Sequence, residues 1–111
     1  MYEILSFNRP KNLKYKFQVE ILNKETNKIK KINFGSAGMN DYTIYNAEEG
    51  KTVADKHKKL YLARHKERED WTKSGIETAG FWSRWVLWSR PTLDESIKYL
   101  IKKFKLVPTT S

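Results

Sequence analysis

The stretch Leu13–Leu22, LKYKFQVEIL, sets Leu13, Tyr15, Phe17, Val19 and Ile21 in alternation with Lys14, Lys16, Gln18 and Glu20. Successive side chains of a strand point to opposite faces, so this period of two predicts a strand with one apolar face. The polar run NKETN (Asn23–Asn27) follows, and KIKKINF (Lys28–Phe34) returns with Ile29, Ile32 and Phe34. Ile29 and Ile32 lie three apart, a spacing that a bulge or a shifted strand start reconciles. The two runs predict an antiparallel hairpin whose outward face carries Lys14 and Lys16, with Lys28 or Lys30 alongside. Upstream, Tyr2, Ile4, Leu5 and Phe7 precede Arg9-Pro10, and residues 1–10 read as an N-terminal arm or short strand closed by proline.

Downstream the pattern changes. GSAGMNDYTIYNAEEG (Gly35–Gly50) is rich in turn formers but contains Met39, Tyr42, Ile44 and Tyr45, so it reads as a loop packed over the domain. Gly35 and Gly38 do not have the spacing of a nucleotide-binding glycine signature, and no Gly-Lys-Ser or Gly-Lys-Thr follows them. Residues 51 to about 68 contain no proline or glycine and suit a helix. At 100° per residue, Val53, His57, Leu60, Tyr61, Arg64 and Arg68 share the expected packing side, opposite Lys51, Lys58, Lys59, Leu62 and Lys66. A second helix, Glu77 to Ser89, sets Phe81, Trp85 and Trp88 in a stripe with Trp82 and Val86 beside it, and Pro91 ends it. Thr92 with Glu95 forms a capping box for a third helix, Leu93 to Lys105. That helix turns Leu93, Ile97, Leu100, Ile101 and Phe104 inward and leaves Lys98, Lys102 and Lys105 as a basic ridge. The expected fold is α+β: one small basic domain over residues 1–111, with an N-terminal antiparallel hairpin or small sheet packed against about three helices. Residues 106–111 are expected to fray.

Length and composition bound the function. A chain of 111 residues buries one core, and with four Trp, six Tyr and five Phe it has large side chains to fill it. It contains no cysteine, which excludes disulfides and thiolate chemistry. No run approaches a membrane span, and the start MYEILSFNRP is not of signal-peptide type, so no transmembrane association is expected. The net charge of +9, from 22 Lys and Arg against 13 Asp and Glu, favours a polyanionic partner. DNA or RNA comes first among such partners. The same lysines also suit an ordinary solvated surface.

The functional candidates concentrate between Tyr61 and Arg90. Arg64, His65 and Arg68, then Trp71, then Arg84 and Arg90 surround a tryptophan-rich helix. Guanidinium binds phosphate through paired hydrogen bonds, and an exposed indole stacks on a base. With Lys14, Lys16, Lys98, Lys102 and Lys105 these residues make up the expected nucleic-acid-binding set. Each has a structural reading too: tryptophans at helical spacing fill cores, and Arg84 is placed to pair with Glu69, Asp70 or Glu77. The lysines of the last helix match phosphate better than base edges, so little sequence specificity is expected. Two-carboxylate metal catalysis would draw on Glu20, Asp41, Glu69, Asp70 or Glu77, and a general base on His57 or His65. None of these forms a selective metal or catalytic motif, and no cofactor is expected.

Several uncommon blocks occur in one order: Phe34-Gly35, Asp41-Tyr42-Thr43, Arg64-His65, Glu69 with Trp71, Ala79-Gly80, Ser83-Arg84-Trp85, Leu87-Trp88 and Pro91-Thr92-Leu93. Over about residues 28 to 104 the chain thereby resembles a family of small uncharacterised proteins encoded by large double-stranded DNA viruses. The resemblance implies a viral protein of the infected host cell, in cytoplasm or nucleus, or one carried in the virion. It transfers no catalytic role. Two functions follow as expectations: a nucleic-acid accessory protein, or a virion structural or protein-interaction module meeting a viral or host protein.

Overall fold

A computed structural model describes residues 1–108. The alternation of LKYKFQVEIL becomes the middle strand of a three-stranded antiparallel sheet, in the order β1 (Tyr2–Asn8), β2 (Tyr15–Asn23), β3 (Lys28–Ser36). Val19 and Ile21 are buried on its inner face; Val19 stands opposite Ile32 and Phe7, and Ile21 opposite Ile4. The pairing of β2 with β3 keeps one register throughout, so the odd spacing of Ile29 and Ile32 needs no bulge. Ile29 simply points outward and is 59% exposed. The register shift lies instead in β1, between Ile4 and Ser6, and it lets Ile4 and Phe7, three apart, both reach the core.

The expected fraying from residue 106 is corrected for the part described. Leu106 is buried, and Val107 pairs in parallel with β1: its carbonyl accepts from Ile4 N (2.8 Å) and its N–H donates to Tyr2 O (3.0 Å). This covers hydrogen-bonding groups that an edge strand otherwise leaves open. Residues 109–111 of that tail lie outside the described residues.

Among the described residues four α-helices pack with the sheet, one more than expected: α1 (Tyr42–Glu49), α2 (Lys51–His65), α3 (Ala79–Trp82) and α4 (Leu93–Phe104). The first arises inside the segment read as a loop. Asp41 caps it, its side chain accepting from the N–H groups of Thr43 and Ile44, and Gly50 at φ +88° turns the chain directly into α2. The buried side of α2 is also rotated from the expected one. Ala54 and Tyr61 are buried and Lys58 is half-buried, whereas Leu60 and Arg64 are exposed. After α3 the backbone widens into a π-helical segment, Ser83–Leu87. The wider turn keeps two residue pairs five apart, Phe81-Trp82 and Val86-Leu87, on the buried side together. Trp82 is wholly buried, its Nε1 donating to Ile76 O at 2.7 Å, with Phe7 and Phe81 edge-on to it. Thr92 caps α4 as expected, its hydroxyl accepting from Glu95 N at 3.1 Å. No helix among the described residues is long and apolar enough to cross a membrane.

Candidate functional site

The eleven side chains singled out from sequence do not form one surface. Lys14 is exposed just before β2, and Lys98 is ion-paired with Asp94 at 3.0 Å on an exposed helix face. Lys102 is exposed in the last turn of α4, and Lys105 is the left-handed residue that terminates it. Arg68 donates to the carbonyl of Arg64. Lys16 is not the outward lysine expected of it: it is largely buried, and its Nζ lies 2.7 Å from Oδ2 of the buried Asp41. The remaining candidates fall into two neighbourhoods.

The first is a basic and aromatic face built by the end of the π-helical segment and α4. Arg84 does not pair with Glu69, Asp70 or Glu77. Its Nη1 donates to Trp88 O at 2.6 Å, and its guanidinium lies 4.2 Å from the centre of the Trp85 ring and 5.6 Å from that of Trp71. Arg90 covers the Tyr99 ring at 4.1 Å, and Lys103 approaches Trp85 at 5.3 Å. These are cation–π distances. From α2, Lys58 reaches the same turn and donates to Ser89 O at 2.9 Å. Consecutive carbonyls at a helix C-terminus thus attract two cations, as the helix dipole favours. None of Lys58, Arg84, Arg90 and Lys103 has a carboxylate within ion-pairing distance among the described residues. Burial, with Arg84 and Arg90 nearby, holds the Lys58 ammonium below its ordinary value, and burial lowers Arg84 in the same direction. Lys58 and Tyr99 were not among the sequence candidates, and Lys103 entered only as one of the last helix's lysines matched to phosphate. Their signal, an i+4 step from Tyr99 to Lys103 and a helix face shifted by one residue, is visible only once the rotation of each helix is known.

The second neighbourhood is an open cavity of about 820 Å³ between the ends of β2 and β3, α1, α2 and the start of α3. Arg64 and His65 lie here, with His57, Tyr61 and Glu69. Glu69 is held from both sides, by His65 Nδ1 at 3.0 Å and by Trp71 Nε1 at 2.9 Å. Gly80 makes room for it, since a Cβ there would stand 2.7 Å from Glu69 Cδ. The Tyr61 ring lies between His65 and Trp88, stacked on both, and burial raises the pKa of its phenol far above the ordinary value. Trp71 ties the two neighbourhoods together: its Nε1 holds Glu69 at the cavity, its carbonyl accepts from Trp85 Nε1 at 2.9 Å, and its ring faces Arg84. Among the described residues no group of His, Asp and Glu is placed to hold a metal ion. The chain matches no known family model, no curated protein and no solved structure.

Proposed function

We propose that this is a small viral accessory protein that binds nucleic acid, DNA or RNA, mainly through phosphate contacts and with little sequence specificity. One observation carries the reading. Arg84, Arg90 and Lys103 gather around Trp85 and Tyr99, with Lys58 bonded to Ser89 O at the adjoining turn, and none of the four has a carboxylate ion partner among the described residues. In a chain of net charge +9, unpaired cations on one face gain from releasing the counterions of a phosphate backbone. Half-buried Trp71 and Tyr99 keep ring area beside them for a base. Arg84 is turned inward by its bond to Trp88 O, and lysine lacks a two-pronged geometry, so these groups suit phosphate better than base edges. The viral setting, in the infected cell or the particle, rests on the ordered blocks from Phe34-Gly35 to Pro91-Thr92-Leu93.

Fluorescence anisotropy of nuclease-treated protein with labelled single-stranded and duplex DNA and RNA, across a salt series, tests this. Saturable binding is expected, with Arg90→Ala reducing the slope of log affinity against log salt by about 1 and Trp71→Ala weakening binding to single strands. Absence of binding at low salt overturns the reading. A second reading, a virion structural or protein-interaction module, is favoured by a groove of about 390 Å³ near Pro10, Phe17, Ile44 and Leu93, where Leu13 is 87% exposed. A Leu13→Asp variant that loses a stable protein partner without change in nucleic-acid binding would select it.

A further inference from the structure

The cavity beside α2 has a chemistry of its own, independent of the basic face. At about 820 Å³ it lies within the size range of small-molecule sites. Two carboxylates reach it, and both are occupied. Asp41 Oδ1 accepts from the N–H groups of Thr43 and Ile44 and the Thr43 hydroxyl, and its Oδ2 takes Lys16. Glu69 is shared between His65 and Trp71. What remains among the lining side chains is of the opposite character. The Arg64 guanidinium, the His57 ring, and the hydroxyls of Tyr45, Tyr61 and Ser83 have no hydrogen-bond partner among the described residues. All are donors or can become so, and Arg64 is a permanent cation with no ion pair. A cavity whose acids are hydrogen-bonded internally and whose free groups are donors favours an anion.

The walls restrict the rest of the ligand. Tyr45 and His57 stack face to face at 3.8 Å with their planes 2° apart, and Tyr61 stacks on Trp88 at 4.4 Å and 7°. All four rings line the cavity, and Tyr45 and His57 are only half-buried. Panels of flat rings beside free donors favour a flat heteroaromatic ring carrying an anionic group. We propose that this cavity binds a nucleoside phosphate, the phosphate held by Arg64 and the Tyr61 and Ser83 hydroxyls, and the base against the Tyr45–His57 pair. The same chemistry is offered by a free mononucleotide and by the 5′-phosphorylated end of a strand.

Isothermal titration calorimetry on the full chain, freed of nucleic acid, is done with the four ribonucleoside 5′-monophosphates, and with adenosine and inorganic phosphate separately. Saturable one-to-one binding of at least one nucleotide is expected, tighter than either adenosine or phosphate. Arg64→Ala should weaken it by about tenfold or more, and His57→Ala should weaken it measurably. Arg90→Ala, on the basic face, should leave it unchanged, so failure here is distinct from failure of polyanion binding. Arg64 is exposed, and thermal melts check that both Arg64→Ala and His57→Ala keep the fold. Competition by 5′-phosphorylated but not 5′-hydroxyl oligonucleotides assigns the ligand to a strand end, and competition by neither assigns it to the free nucleotide. No saturation at millimolar nucleotide, affinity untouched by Arg64→Ala, or inorganic phosphate binding as tightly as nucleotide overturns the proposal.

Discussion

Asp41 shows how much one side chain can organise. It caps α1, closes a turn through the Thr43 hydroxyl and neutralises the only slightly exposed Lys16 at 2.7 Å. Asp41→Ala removes the cap and strands a cation, so a loss of about 3–5 kcal/mol is expected. Lys16→Met leaves Asp41 its three other hydrogen bonds and should cost clearly less; urea denaturation of both variants measures the difference. Gly75 is a second such residue, because a Cβ there would lie 2.0 Å from the carbonyl oxygen of Asp70, a backbone atom that cannot step aside. Gly75→Ala should cost about 3 kcal/mol or more and lower the denaturation midpoint accordingly. Asp41 was legible in part: an aspartate ahead of Tyr42-Thr43-Ile44-Tyr45, with Gly50 after it, is a helix start and stop. The surrounding turn formers hid it, and its buried partner Lys16 lay on a strand whose lysines all looked alike.

The helices and strands carry a different lesson. Strict alternation in β2 and the Thr92 cap of α4 are local properties, and both elements formed where the sequence placed them. The packing side of α2 was read one position out, because its apolar residues are too few to outvote its lysines. Contact with α1 is made through Asp55, His57 and Lys58, which meet Tyr42 and Tyr45, while the wholly buried Ala54 lies on the same inner side as Lys58. The π-helical segment was read as an α-helix for a similar reason: its five-residue spacing follows from where the sheet needs Trp82 and Leu87. The C-terminal clamp on β1 is testable at this scale. A chain ending at Lys105 loses buried Leu106 and both hydrogen bonds of Val107 to β1. A loss of about 2–4 kcal/mol is expected. Hydrogen exchange should show the amide of Ile4 losing protection first.

For the whole molecule, the pH dependence of stability combines groups from distant elements. Burial raises the phenols of Tyr2, Tyr42 and Tyr61, with Glu77, Asp55 and Glu69 adding to it in turn. A raised folded-state pKa stabilises fully below the unfolded value of 10.0 and is lost as pH rises through the folded value. Lys58 acts in the opposite sense: its folded value is depressed, so stability is recovered as pH rises toward its unfolded 10.5. Three phenols outweigh one ammonium, and the denaturation midpoint should fall between about pH 9 and pH 11. Tyr61→Phe should flatten that fall, and absorbance of tyrosinate should show Tyr61 ionising only as the fold opens. An alkaline midpoint that holds steady would show that these phenols are as accessible to ionisation in the native chain as in the unfolded one.

Composition and short-range pattern by themselves determined an α+β chain with no disulfides, a net positive charge, a β2 strand facing one way and a capped last helix. These depend on side-chain type and on periods of two and 3.6 residues, which a chain carries without folding. Only the tertiary structure decided which cations are free. Lys16 and Lys14 are neighbours on the same run, yet one is neutralised by Asp41 25 residues away and the other is solvated. Arg84 faces aromatic rings and a carbonyl rather than any of the three nearby acids, and Glu69 lies between His65 and Trp71. Pairing of charges depends on angstrom distances across elements, and those distances are set by a core packed around Phe34, Phe81 and Trp82 that the linear spacing of charges does not encode.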